Sequence, residues 1–290
     1  MRTRAAPQES SVLWTRIATA AVGVPLALVV IWVGGWALTV AIAVVALVGL
    51  REYQRMFGRN GRIDVWGDAA LALGAVFWAS RNPAYGYCEY TTIWACGGIL
   101  VTILFHRLWV RRVEPSLRSY LLESQFVAVP YTAVLFGYTL LLRSLAPGTV
   151  RHTPVPLGAA LLFLAIGACW VTDAAAYLVG RKIGKHKLAP KISPGKTVEG
   201  SVAGLLGAVL FVGALGWWVG LPVWSAALLG VTLGVVGQLG DLFESWLKRR
   251  AGVKDSGALL PGHGGVLDRF DSLLFVAPVA YYWLRAVLAG

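Results

Sequence analysis

Apolar residues in this chain fall into long, nearly unbroken blocks separated by short polar stretches. A membrane-spanning helix needs about 20 mostly apolar residues. On that reading the blocks predict about nine spans: Ile17–Val33, Trp36–Leu50, Val65–Ser80, Thr91–Leu108, Leu121–Leu142, Pro156–Gly180, Ser201–Val219, Val223–Leu247 and Ser272–Ala289. The second block is short and joins the first through Gly34-Gly35, which predicts a tight hairpin or a partial span. No internal repeat or low-complexity linker interrupts the series. The predicted fold is an all-α polytopic integral membrane protein. Arg2, Arg4 and Arg16 precede the first block much as in a signal peptide. The block lacks a convincing cleavage site and soon continues into another, so it reads as a retained first helix.

Composition sharpens this picture. Of 290 residues, 57% are hydrophobic and 14% are charged, against about 25% charged in a soluble domain. No polar stretch is long enough to form a separate soluble domain. The three cysteines, Cys88, Cys96 and Cys169, show neither paired nor metal-type spacing. The net charge of +12 is explained by lysine and arginine collecting in cytoplasmic loops, where they also face anionic headgroups. No nucleic-acid module is recognisable, and no nucleic-acid partner is expected.

The basic residues also predict an orientation. With the N-terminus in the cytoplasm, Arg51, Arg55, Arg59 and Arg62 follow the second span on the inner side. Arg107, Arg111, Arg112 and Arg118 do so after the fourth, Arg181 to Lys196 after the sixth, and Lys248 to Lys254 after the eighth. The opposite loops hold fewer: Arg81, Arg143 and Arg151. Residues 1–150 then form a set of N-terminal helices, and 151–290 a region in which Asp173, Glu199, Asp241 and Glu244 stand inside or beside apolar blocks. Charge at such positions is expensive and marks candidate chemistry.

Asp241, Glu244, Ser245 and Lys248 are spaced i, i+3, i+4, i+7 and share a helical face. Asp241 ends an apolar approach, so its carboxylate should be paired, protonated or on a metal; a bridge to Lys248 is the simplest structural alternative. Leu260 to Gly265 reads as an irregular loop. Within it, Gly264 and Gly265 could bring backbone N–H groups close to a phosphate, although a plain turn is the commoner reason for such residues. Asp268 and Asp271 open the last span. They could cap that helix or join Asp241 in a hard-cation site suited to Mg²⁺.

Upstream, Asp173, Tyr177 and Arg181 line one helical face, and Ala174 to Ala176 permit close packing of a neighbouring helix. Ser193-Pro194 reads as an N-cap followed by proline at the first helical position. That would put Lys196 and Thr197 at a helix start, a natural anion site; a basic loop lying on lipid headgroups is the alternative. Gly195-Lys196-Thr197 is not a Walker A loop, because Pro190 stands where that motif needs glycine. His106, His152 and His186 have no visible partner.

These residues resemble the phosphatidate cytidylyltransferase family, the CDP-diacylglycerol synthases, in its bacterial form. Ser245–Asp271 fits the family signature S-x-hydrophobic-K-R, then K-D, then P-x-H-G-G-hydrophobic-x-D-R-hydrophobic-D. Asp173–Lys185 and Ile192–Gly200 match two further segments, and Arg16-Ile17, Thr19-Ala20 and Glu52-Tyr53 match more weakly. The resemblance implies that CTP and phosphatidate give CDP-diacylglycerol and pyrophosphate with a divalent cation, Mg²⁺, and K⁺ beside it. It also implies an inner-membrane enzyme, which the absence of a long polar N-terminal extension favours, and a homodimer.

In that reaction the phosphate monoester attacks the α-phosphorus of CTP, and metal ions about 3.5–4 Å apart would hold the attacking and leaving oxygens. The resemblance puts Asp241 and Asp268 on metal, with Asp271 beside them. Lys196, Lys248, Arg249 and Arg269 would take phosphates. Ser193, Thr197, Glu199, His263, Gly264 and Gly265 would serve substrate binding, and Asp173 and Tyr177 the lipid-headgroup entrance. A lipid or ion transporter with buried carboxylates is the rival class. The CDP-alcohol phosphatidyltransferases are set aside because their aspartate pattern is absent.

Overall fold

The computed structural model describes residues 9–57, 72–74, 125–259 and 264–289. Outside them lie most of the predicted span Val65–Ser80, all of Thr91–Leu108, the start of Leu121–Leu142, and His263. The described chain is mostly helical: α1 (Glu9–Val33), α2 (Gly35–Met56), α3 (Gln125–Val129), a π-helical turn over Pro130–Val134, α4 (Leu135–Ser144), α5 (Leu157–Ile183), strands β1 (Lys187–Ala189) and β2 (Ser193–Thr197), α6 (Val198–Val219), α7 (Val223–Arg250) and α8 (Leu267–Ala289). Among the described residues, six helical stretches are long and apolar enough to cross a membrane: Gly35–Met56, Val127–Ser144, Leu157–Ile183, Val198–Val219, Val223–Arg250 and Leu267–Leu288. The chain is a polytopic helical membrane protein.

Gly34 alone separates α1 from α2, at φ 64°, so the Gly34-Gly35 hairpin is present. Arg143 closes it from α4, donating from Nε to Ile31 O at 2.8 Å and from Nη2 to Trp32 O at 2.9 Å. A cation thus satisfies carbonyls left free at the end of α1. The second span does not stop at Leu50 but runs to Met56. Its last turns carry Arg51 and Arg55 outward while Glu52, Tyr53 and Gln54 turn inward and are buried.

The α3–α4 stretch is the buried centre, with Tyr131, Tyr138, Leu141 and Leu142 fully enclosed. Pro130 lacks the N–H that an unbroken α-helix would use, and the π turn begins there. α5 and α6 pack closely because small residues meet: Gly204 faces Ala176 and Thr172, and Gly207 faces Ala175. The alanine run therefore does what its sequence suggests. The far side of α6 exposes Leu206, Leu210 and Trp217, as a lipid-facing surface should.

Two expectations change in the α5–α6 connection. It holds a small antiparallel hairpin, with Lys187 opposite Thr197 and Ala189 opposite Ser193, so the fold is not purely helical. Ser193 also does not cap a helix. Ser193–Thr197 is strand, and Thr197 is the N-cap of α6, its Oγ1 accepting from Gly200 N at 3.2 Å. Pro194 suits an edge strand as well as a first helical turn, and Thr197 supplies the stronger local signal because its hydroxyl can accept an orphan N–H.

Candidate active site

The C-terminal ends of α2, α5 and α7 and the N-terminal ends of α6 and α8 meet at one end of the bundle, beside the β-hairpin. A cleft of about 640 Å³ opens there between α5, α6, α7 and the hairpin. Asp173, Tyr177 and Arg181 line it from α5, Ser193, Lys196 and Thr197 from β2, and Gln238 and Asp241 from α7. Lys196 Nζ lies 2.6 Å from Asp241 Oδ2, each side chain about one-quarter exposed. Asp241 Oδ1 accepts from Ser245 Oγ at 3.3 Å. Asp241 is therefore paired with a lysine from another element rather than with Lys248. Arg181 donates to Tyr177 Oη at 3.1 Å, so the predicted α5 face does line one wall.

Thr197 shapes the cleft through packing. A Cβ on Gly180 or Gly184 would come within 2.8 or 2.6 Å of its Oγ1. Glycine at both positions lets the end of α5 close on the start of α6. Ser201 and Gln238, which the motif reading passed over, join α6 to α7 beneath the cleft. The Ser201 hydroxyl donates to Gln238 Oε1, and Gln238 Nε2 donates to Ser201 O at 3.2 Å.

A second polar group lies between α7 and α8. Lys248 Nζ contacts Asp268 Oδ1 at 2.6 Å and Glu244 Oε1 at 3.5 Å. Asp268 Oδ2 accepts from Ser256 N at 3.0 Å and Gly265 N at 2.8 Å. The Gly265 N–H is thus engaged by Asp268. Gly264 adopts φ 82°, a conformation glycine takes without steric cost. Glu244 is fully buried, its carboxyl against that of Asp271, and among the described residues its oxygens form no hydrogen bond beyond the 3.5 Å ion pair with Lys248. Arg269 is exposed on the first turn of α8.

Two predicted site residues serve the hairpin instead of lining the cleft. Glu199 accepts from Lys185 N at 3.1 Å and His186 N at 3.2 Å, and its Oε1 lies 2.7 Å from His186 Nδ1. His186 thus has a partner that its sequence context hides. Arg249 donates from Nε to Ile192 O at 3.3 Å and from Nη1 to Val253 O at 3.1 Å, tying the hairpin turn to the end of α7.

The two polar groups are neighbours. Asp271 lies within electrostatic reach of Asp241 and Asp173, and Lys196 and Arg269 offset that negative charge. Among the described residues no ready-made cage of three or more His, Cys, Asp or Glu side chains exists. The donor set nevertheless fits a hard cation. Mg²⁺ takes one or two carboxylates and completes its shell with water and phosphate oxygens, and buried Glu244 makes no hydrogen bond among the described residues, only the 3.5 Å ion pair with Lys248. A carboxylate offers about four acceptor positions, so Asp268 keeps one beyond its three partners.

The arrangement can therefore accept a polyanion in the cleft between the hairpin, with its Lys196, and α5–α7, beside carboxylates whose chemistry suits a hard cation. A model of the cytidylyltransferase family matches residues 14–287. The chain belongs to that family. A phosphatidate cytidylyltransferase of Synechocystis is 36% identical over 94% of this chain and 97% of its own length. The Bacillus subtilis protein of that name is 45% identical over 54% of this chain and 56% of its own. The Staphylococcus haemolyticus one is 52% identical over 38% and 43%. As a cytidylyltransferase-family member, the chain also carries a polar group whose contacts its motifs do not announce: Glu52 of α2 bonds to Ser256 and to the start of α8 beneath Asp268.

Proposed function

We propose that this chain is a phosphatidate cytidylyltransferase, converting CTP and phosphatidate to CDP-diacylglycerol and pyrophosphate. The observation that carries the reading is the Lys196–Asp241 pair in a cleft with basic walls, at the membrane-edge end of a polytopic bundle. Both substrates are polyanions, and each must be neutralised before the two can meet.

In the proposed step a phosphate-monoester oxygen of phosphatidate forms a bond to the α-phosphorus of CTP. The bond from that phosphorus to the bridging oxygen breaks, and pyrophosphate carries away the electron pair. The nucleophile is already ionised, so no strong general base is needed. Mg²⁺, with K⁺ beside it, would be held by Asp241, Asp268 and Asp271, and when bound supplies charge neutralisation at the attacking and leaving oxygens. Lys196 releases Asp241 to engage phosphate oxygens. Lys248 fixes the Asp268 carboxylate, and Arg269 faces the phosphates from α8. Ser193, Thr197 and Gly264 shape the phosphate-binding wall, while Asp173 and Tyr177 flank the lipid headgroup. Basic residues gathered at this end support a cytoplasmic-side cleft, which would meet CTP there and phosphatidate from the inner leaflet.

The test uses purified protein in detergent with phosphatidate, Mg²⁺ and α-labelled CTP. Label should pass into the lipid phase. Lys196→Met should slow that transfer by about 10²-fold, the size expected for loss of one preorganised charge contact. No label in lipid under any metal, with K⁺ added, would end the reading and favour a transporter.

A further inference from the structure

Glu52 is a buried carboxylate, bonded on both oxygens, that the proposed chemistry does not use. It sits on α2, more than 200 residues before the groups it touches, and is 4% exposed. Its Oε1 accepts from Val266 N at 2.9 Å. Its Oε2 accepts from Leu267 N at 3.0 Å and from Ser256 Oγ at 3.2 Å. No cation pairs with it among the described residues. Its charge is balanced by hydrogen-bond donors and by the N-terminus of α8, where a carboxylate is favoured.

The surroundings are cut to fit this carboxylate. A Cβ on Gly257 would meet Glu52 Oε1 at 2.6 Å, and one on Gly265 would meet Oε2 at 2.6 Å. Two glycines therefore leave room for one acid. Ser256 is shared: its hydroxyl donates to Glu52 while its N–H donates to Asp268 Oδ2. Gly265, packed on Glu52, donates its own N–H to the same Oδ2. Asp268 in turn takes Lys248 at 2.6 Å on its other oxygen. The chain of contacts runs from Glu52 through Ser256 and the 265–267 backbone to Asp268 and Lys248.

We infer that Glu52 is a positioning residue, the clamp by which the N-terminal half of the chain sets the Asp268 carboxylate at its working angle. It touches neither substrate nor cation. The inference rests on the cytidylyltransferase reading above. Outer-shell partners of this kind typically cost about 10- to 100-fold in activity or metal affinity when removed. A charge-neutral replacement cannot substitute, because donors converge on both oxygens. In Glu52→Gln one of those oxygens becomes an NH₂ group, a donor facing a donor.

The test compares wild type, E52Q, E52D and S256A in detergent, by steady-state kinetics and by hydrogen exchange without metal or substrate. E52Q should lower kcat by about 10- to 100-fold, with KM for phosphatidate within about twofold and a higher Mg²⁺ requirement; E52D should recover part of kcat. The decisive readout is exchange at Ser256 and Gly265, whose N–H groups bond Asp268 and not Glu52. Both should exchange faster in E52Q, while the α5–α6 helices keep wild-type rates. Faster exchange confined to Val266 and Leu267, or a wild-type kcat in folded E52Q, would overturn the inference. Should E52Q fail to fold, S256A decides: the inference requires a several-fold fall in kcat and faster exchange at Gly265, and wild-type values for both overturn it. Wild-type protein without transfer activity would sink the functional reading, and the exchange comparison would then judge the clamp alone.

Discussion

The two polar groups at the working end of the bundle are built in opposite ways. The cleft group of Asp173, Tyr177, Lys196 and Asp241 is open, and Lys196–Asp241 is a pair drawn from a strand and a helix with each side chain about one-quarter exposed. The group around Asp268 is nearly saturated: Lys248, Ser256, Gly265, Val266 and Leu267 deliver their donors to Asp268 and Glu52. Charges meant to exchange partners during a reaction must stay accessible and loosely satisfied. Charges meant to hold geometry are best buried and fully bonded. On the proposed function, the contrast separates the wall that would meet substrate from the bonded cluster that would hold the Asp268 carboxylate in place.

Substitutions can break this contrast on either side. Lys248→Met should have the largest effect, because it strands Asp268 and buried Glu244 without their cation. Breaking a buried pair costs about 3–5 kcal/mol of stability, so thermal melting in detergent should fall along with activity. Asp241→Asn should remove activity by roughly 10²–10³-fold, about 3–4 kcal/mol of transition-state stabilisation. Its melting temperature should change little, since its side chain is part-exposed and lightly bonded. Equal loss of stability in both variants would erase the distinction. Gly200→Ala sharpens it from the packing side. A Cβ there would meet Ala176 O at 2.6 Å, and overpacking of about 1–3 kcal/mol should widen the α5–α6 approach and raise KM for CTP. Tyr177→Phe removes one exposed hydrogen bond to Arg181, worth about 0.5–1 kcal/mol, and should change kcat/KM for phosphatidate by no more than a few-fold.

The six spans among the described residues and the α5 face were legible because their signals are local: apolar length, i, i+4 spacing, and small residues in a row. The short second span was misjudged in extent for a physical reason. Apolar content ends at Leu50, yet the helix continues because Glu52 and Tyr53 find buried partners that sequence distance conceals. The Ser193-Pro194 reading failed because proline after serine fits both an N-cap and an edge strand. Only the pairing with Lys187–Ala189 decides between them. Asp241, Lys248 and Asp268 were legible as a constellation, but who pairs with whom was not. One face of α7 divides its charges between the cleft and α8, and no spacing rule contains that division. Glu52 belongs to a weak family match, but its partners, like the Ser201–Gln238 link, lie beyond motif reading, since each contact joins elements distant in sequence.

The central claim is that the cleft around Lys196 receives the nucleotide phosphates. Amine-selective labelling read by mass spectrometry, with and without CTP and Mg²⁺, tests it most directly. Labelling of Lys196 should drop several-fold with CTP while exposed Lys254 is unchanged. Unprotected Lys196 in protein that turns CTP over would place the phosphates elsewhere and contradict the account.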